Sequence, residues 1–244
     1  FGTEWRPLLG GEKKFGIWPL VSGTLVVSSV AALVALPIGL VTAVYLSEFA
    51  RPRVRAVIKP ILEVLAGIPT VVYGYFALVF ITPGLQAIGS FETYNAMSAG
   101  IAVGIMCLPI VCSLSEDALR AVPRNLREGA YAVGGTRLDV SLKVVVPAAL
   151  SGIVAAFLLA LARAIGETMI VALAAGSLPN LTADPRQQMQ TMTGYMVQIF
   201  LGDAPAGGVE YLSCYAVAAL LFVFTFALTV VGHFIMKRFR EAYQ

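Results

Sequence analysis

Charge is scarce in this sequence. Asp, Glu, Lys and Arg make up only 13% of its 244 residues, about half the roughly 25% usual in soluble proteins, too few to cover a water-soluble globule of this size. Histidine occurs once, at His233, so His-rich zinc constellations and a Ser-His-Asp triad deeper in the chain lack their parts. The three cysteines, Cys107, Cys112 and Cys214, form no Cys-x-x-Cys pair and read as small packing residues. No metal site is expected. No Gly-x4-Gly-Lys-Ser/Thr loop is present to cradle nucleotide phosphates. With a formal charge of +3 and no basic run interleaved with aromatics, nucleic acid has no electrostatic footprint. Repeats of inverted topology are absent too, so a pseudo-two-fold pathway has to be completed by a second chain.

What is there instead is apolar: 58% of the chain is hydrophobic. A hydrocarbon core about 30 Å thick takes roughly 20 helical residues, and five runs reach that length, near 20–46, 57–82, 95–113, 148–176 and 211–236. Lipid offers no hydrogen-bond partners, and no series of alternating ten-residue segments suggests a barrel. An all-α, polytopic membrane protein is predicted. Arg51, Arg53, Arg55 and Lys59 follow the first span, Arg120, Arg124, Arg127, Arg137 and Lys143 follow the third, and Lys237, Arg238 and Arg240 follow the fifth. The opposite side has Arg6, Lys13, Lys14 and Arg186. The positive-inside rule makes the first side cytoplasmic and places the C-terminus there. Phe1 then lies outside with no signal peptide to export it, which predicts a further helix upstream and six spans in the full protein.

Proline stands inside the first three runs, at Pro37, Pro69 and Pro109, where each removes a backbone bond and is expected to kink its helix unless a neighbour compensates. Gly100 with Gly104, and Ala155, Ala156 and Ala160, allow close helix approach. In the long outer loop from Ser177 to Glu210, Met189, Met192, Tyr195, Met196, Ile199 and Phe200 recur at helical spacing. An amphipathic helix is predicted there, either at the outer interface or folded back on the bundle, its stripe serving packing.

Residues 114–147 are the most informative soluble stretch. Pro123 suits a helix start, Arg124 to Val133 continues it, and Gly134-Gly135 ends it; Thr136 with Asp139 has the form of a capping box opening a helix that runs to Pro147. Glu128 lies towards the start of the first helix, where the dipole favours it, and Leu126, Ala130 and Val133 share a face. Glu128-Gly129-Ala130, Gly134 and Val144-Val145-Val146-Pro147 resemble, with matched spacing, the EAA motif of bacterial ABC importer permeases, Gly129 replacing an Ala and valines the Ile and Leu. In that family this loop is the coupling helix that docks on the ATPase subunit.

Further stretches, Gly67-Ile68-Pro69-Thr70-Val71-Val72-Tyr73-Gly74, Arg163-Ala164-Ile165-Gly166-Glu167-Thr168-Met169, and Phe15-Gly16 leading to Gly23-Thr24-Leu25, are similar to the phosphate importer permeases, the Gly-Glu-Thr-Met ending favouring the PstC type over PstA. The resemblance implies a type I ABC importer helical bundle in the bacterial or archaeal plasma (inner) membrane. It further implies a second, PstA-type permease subunit, a pair of ATPase subunits carrying ATP and Mg, an external phosphate-binding protein, and no cofactor on this chain. On this reading 1–19 is an external segment, 20–236 the transmembrane permease domain with coupling loop 114–147, and 237–244 a cytoplasmic tail. Glu128, Gly129, Ala130, Gly134 and Pro147 belong to ATPase coupling. Rival readings are a permease for another oxyanion, molybdate or sulfate, and a self-contained secondary transporter or channel; a membrane enzyme has no cluster of catalytic residues to support it.

Physics alone singles out Arg163 and Glu167. Thirteen residues beyond Leu150, at about 1.5 Å each, Arg163 lies roughly 20 Å into the membrane. A central charge there costs about 2.5 to 3.5 kcal/mol, so neither group should face lipid. At positions i and i+4 they are predicted to share a helix face and pair, either as a structural ion pair or as the lining of a polar pathway in which guanidinium meets an oxyanion. Glu63 is a weaker pathway candidate that can pair with Lys59 at i and i+4.

Overall fold

The computed structural model describes residues 2–7, 13–203 and 207–240; the expected tail beyond Arg240 lies outside the described residues. The expected N-terminal segment contains a short antiparallel ribbon, β1 (Trp5–Arg6) and β2 (Lys14–Phe15), pairing Trp5 with Phe15 and Arg6 with Lys14. Lys14 bonds Glu4 at 3.0 Å, and that bond and charge, with the charge of Arg6, hold the Glu4 carboxyl below its ordinary range.

Helices follow: α1 (Trp18–Val44), continued by a wide π-turn over Tyr45–Phe49, α2 (Pro52–Gly67), α3 (Thr70–Phe76), α4 (Thr82–Ile88) and α5 (Ala96–Arg120). After these come the short α6 (Arg124–Ala132), α7 (Arg137–Val140) and α8 (Val146–Ala148), then α9 (Leu150–Ile165), α10 (Met169–Ala174), α11 (Met192–Gln198) and α12 (Val209–Arg240). Among the described residues, four helical stretches are long and apolar enough to cross a membrane: Trp18–Phe49, Thr70–Ile88, Ala96–Arg120 and Val209–Lys237. A fifth crossing would be the pair Arg137–Ala148 and Leu150–Ile165, bent by 69°.

Two expected spans need correction. The second was expected at 57–82, but α2 stops at Gly67 and Pro69, at φ −58° and ψ 139°, caps α3. Proline has no N–H and its ring disfavours helical backbone in the residue before it, so the helix breaks at Ile68-Pro69. The apolar crossing is therefore Thr70–Ile88, while α2 is a separate amphipathic helix with no buried residue. The fourth, expected as one helix over 148–176, is interrupted between α9 and α10 at Gly166-Glu167-Thr168. By contrast α1 and α5 run through Pro37 and Pro109 without a break.

The chain divides into two compact units. The first combines residues up to Val34, Ile68–Met106 and Arg163–Phe226; the second, Ala35–Gly67, Cys107–Ala162 and the remainder. In the first, a Cβ on Gly100 would lie 2.5 Å from Val30 Cβ and one on Gly104 2.8 Å from Val34 Cβ. Here α1 and α5 approach as closely as the small-residue spacing predicts. A Cβ on Gly74 would meet Leu173 Cδ1 at 2.8 Å and Ile170 Cα at 3.2 Å, so glycine lets α3 seat against α10. The Met and aromatic stripe is helical over α11, and Met192, Tyr195 and Ile199 are buried with Trp5, Leu20, Cys214 and Val217. Burial decides between the two expectations: this helix folds back into a core, with Trp5 edge-on to Tyr195 at 4.9 Å. Phe200, expected in the same stripe, is exposed.

In the second unit, Leu46, Cys112, Leu119, Val122, Val140, Val145 and Ile153 form the core, with Ala130 of α6 packed against it.

Candidate translocation site and loop helix

The candidate site of the first unit is built by the interruption after α9. Arg163 is the last basic residue of that helix, and Glu167 lies two residues past its end rather than on the same helical face. The pair forms nonetheless: Arg163 Nη1 donates to Glu167 Oε2 at 2.8 Å, and Nη2 lies 3.6 Å from Met106 Sδ. Glu167 Oε1 meanwhile accepts the backbone N–H of Met169 at 3.1 Å and of Ile170 at 3.4 Å. One carboxylate thus closes the start of α10, whose first amides have no intrahelical partner, and anchors the guanidinium. Thr193 Oγ1 fixes the break from the other side by donating to the Glu167 carbonyl at 2.6 Å.

Exposure divides the two groups sharply. The Glu167 side chain is 2% exposed and that of Arg163 is 42% exposed. The anion is thus a fixed internal support, while the cation keeps donor surface for a further acceptor. Chemically the arrangement can bind and release an anion; it holds no nucleophile and base pair for bond breaking.

In the second unit, α6 lies a residue inside the expected bounds, with Pro123 as its cap rather than its first helical residue. Gly134 has φ +86°, the left-handed stop expected of it. Thr136 accepts the Asp139 N–H at 3.2 Å, forming the expected cap, and the helix it opens reaches Ala148 through a wide turn over Ser141–Val145. Glu128 and Gly129 are exposed on α6, and a Cβ on Gly129 would meet nothing within 4 Å. Ala130 and Pro147 are half-buried. Leu126 and Val133 do not share Ala130's inward packing: they are exposed, as are Leu138 and Leu142.

Sequence reasoning missed the group that holds this loop. Glu48, at the end of the first helical stretch, is buried and receives Arg127 Nη1 at 3.0 and 3.2 Å, while Arg127 Nη2 donates to the Leu119 carbonyl at 2.7 Å. Glu48 and Arg127 are 79 residues apart, so no local pattern links them. Glu63 also departs from expectation. It is exposed, and Lys59 takes Glu116 instead, at 3.4 Å.

Membrane-spanning helices, an interrupted helix whose exposed cation is held by a buried carboxylate, and a polar loop with an apolar surface define a membrane transport component. Residues 35–242 match the sequence profile of the binding-protein-dependent transport system inner membrane component, and the chain belongs to that family. It is 33% identical over 236 residues to the probable ABC transporter permease protein YqgH of Bacillus subtilis, covering 96% of this chain and 76% of that protein. With the phosphate transport system permease protein PstC of Xylella fastidiosa it shares 31% identity over 259 residues, 98% of this chain and 78% of that one. Among solved structures, a chain of the inward-facing MetNI methionine ABC transporter superposes with a TM-score of 0.66 at 19% identity, covering 92% of this chain and 94% of the other. That likeness concerns the fold, a type I ABC importer permease bundle.

Proposed function

We propose that this chain is the phosphate-carrying permease subunit of an ATP-driven importer, of the PstC type, and that Arg163 with Glu167 lines its pathway. The observation that carries the reading is a half-exposed guanidinium held by an almost fully buried carboxylate. Phosphate is partly dianionic near neutral pH, and a planar cation in a low-dielectric pathway offsets part of its loss of hydration. Glu167 cancels one charge, which keeps the oxyanion from being trapped. The similarity to a PstC protein across almost the whole chain supports phosphate over molybdate or sulfate.

Movement is supplied from outside the chain. On this reading α6, with Glu128, Gly129, Ala130, Gly134 and Pro147 in its loop, docks on an ATPase subunit that binds ATP and Mg, and no cofactor sits on this chain. Exposed Leu126, Val133, Leu138 and Leu142 supply the apolar surface such docking buries. The Glu48–Arg127 pair transmits the load to the core of the second unit. A second permease subunit of the PstA type completes the pathway, an external phosphate-binding protein delivers the anion, and the loop and C-terminus face the cytoplasm.

The test is ATP-driven uptake of radiolabelled phosphate into proteoliposomes holding the whole complex, with the binding protein supplied on the delivery side. Uptake should resist excess sulfate and molybdate. Preferential uptake of either competitor would assign the permease to that oxyanion instead.

A further inference from the structure

The second unit contains a basic site that the transport reading does not use. Glu116, on α5, has a side chain only 1% exposed, and three cations converge on it: Arg55 and Arg120 at Oε1, the latter through Nε at 3.2 Å, and Lys59 at Oε2, 3.4 Å away. One carboxylate cannot neutralise three cations, so two positive charges are left on the cluster, one of them offset by Glu63 in the same cavity. Proximity here does not amount to aligned bonding, because Oε1 accepts no hydrogen bond of proper geometry. Arg120 reaches that oxygen through Nε, so its two terminal nitrogens are not the atoms of that contact.

These three cations also line a cavity of about 540 Å³, together with Ser47 and Glu63. Its size is ample for a tetrahedral anion with part of its substituent. The Lys59 and Arg120 side chains are 41% and 45% exposed, so a ligand can reach them. On the opposite face of α2, Val57, Ile61 and Val64 are exposed at helical spacing, an apolar stripe of the kind that lies against acyl chains.

We propose that this cavity binds a phosphate-bearing anion, either the headgroup of an anionic phospholipid or free inorganic phosphate, with Arg55, Lys59 and Arg120 as donors and Glu116 as the carboxylate that gathers them. Helices α2 and α5 hold the three cations together, Glu116 beneath them offsets part of their mutual repulsion, and the positive charge left after Glu116 and Glu63 are counted provides the attraction. The identity of the transported solute does not enter this inference.

The experiment uses the assembled complex in nanodiscs of phosphatidylcholine with or without phosphatidylglycerol, and weighs the lipid it retains by native mass spectrometry. A parallel arm measures binding of radiolabelled inorganic phosphate, with Arg163→Gln in every protein so that the pathway does not contribute. Arg55→Gln/Lys59→Gln/Glu116→Gln removes two cations and the carboxylate together, and the Arg120 it leaves without that partner is 45% exposed, so no buried charge is orphaned. The triple variant's affinity should fall about fivefold, because losing two cations worth roughly fivefold each is partly offset by losing the competing carboxylate. Glu116→Gln alone should bind at least about fivefold more tightly, because the competing anion is gone; a merely structural cluster predicts no gain. If Glu116→Gln fails to assemble, the triple variant decides. Retention of phosphatidylglycerol without free phosphate makes the ligand a headgroup, and the converse makes it the free anion; either result supports the site. Absence of both from the parent complex, or equal occupancy in the parent and the variants, overturns it.

Discussion

Replacing Arg127 by Gln should cost far more than replacing its partner Glu48, and the asymmetry can be worked from the surroundings of each group. Arg127→Gln leaves the Glu48 carboxylate, 5% exposed, with the Ser47 hydroxyl at 2.8 Å as the remaining donor shown to it. Removing one partner of a buried pair costs about 3 to 5 kcal/mol, because the other charge stays desolvated. Glu48→Gln instead leaves Arg127 22% exposed and still donating to the Leu119 carbonyl at 2.7 Å. Its cost should be nearer 1.5 to 3 kcal/mol, roughly that of one hydrogen bond to a charged group. Glu48→Gln/Arg127→Gln removes both charges and should recover about 1 to 3 kcal/mol relative to the sum of the single variants. Equilibrium unfolding of the permease in mixed micelles measures all four proteins. Strict additivity, or a loss below about 1 kcal/mol for Arg127→Gln, would refute the view that this pair carries the loop.

Gly134→Val should cost about 1 to 2 kcal/mol through its φ of +86° alone, since a Cβ there meets nothing within 4 Å, and it should uncouple ATP hydrolysis from uptake by misplacing α6. Gly134→Asn, which tolerates the left-handed region, should retain most coupling, and equal ATPase stimulation in both variants would count against the stop. Single cysteines introduced at Ser90 and Asn125 should label with an impermeant reagent from outside and inside respectively; labelling from one side would contradict the proposed orientation.

The apolar runs, the small-residue contact at Gly100 and Gly104, the Thr136 cap and the glycine stop were legible because each depends on a few neighbouring residues. Window-averaged hydropathy was blind to the break at Ile68-Pro69. It joined α2, with its charged face, to the apolar helix after it, although proline geometry gave a reason to stop there. The break at Gly166 was hidden for a different reason, as the i, i+4 spacing of Arg163 and Glu167 suits a continuous helix as well as a helix end closed by a carboxylate. Glu48 and Glu116 were beyond local reading altogether. Each sits at the end of an apolar run, where a charged residue ordinarily marks the interface, and only the packed unit brings Arg127 to one and Arg55 with Lys59 to the other.

Phosphate uptake by Arg163→Gln/Glu167→Gln tests the central claim most directly. Arg163→Gln alone leaves Glu167 buried without its cation, whereas the double variant removes both charges and, if the pair only supported the fold, would restore function along with assembly. The proposed pathway predicts that the double variant assembles with its partners in normal yield and transports little phosphate. Normal ATP-driven uptake by the well-assembled double variant would contradict it and leave the pair as scaffolding.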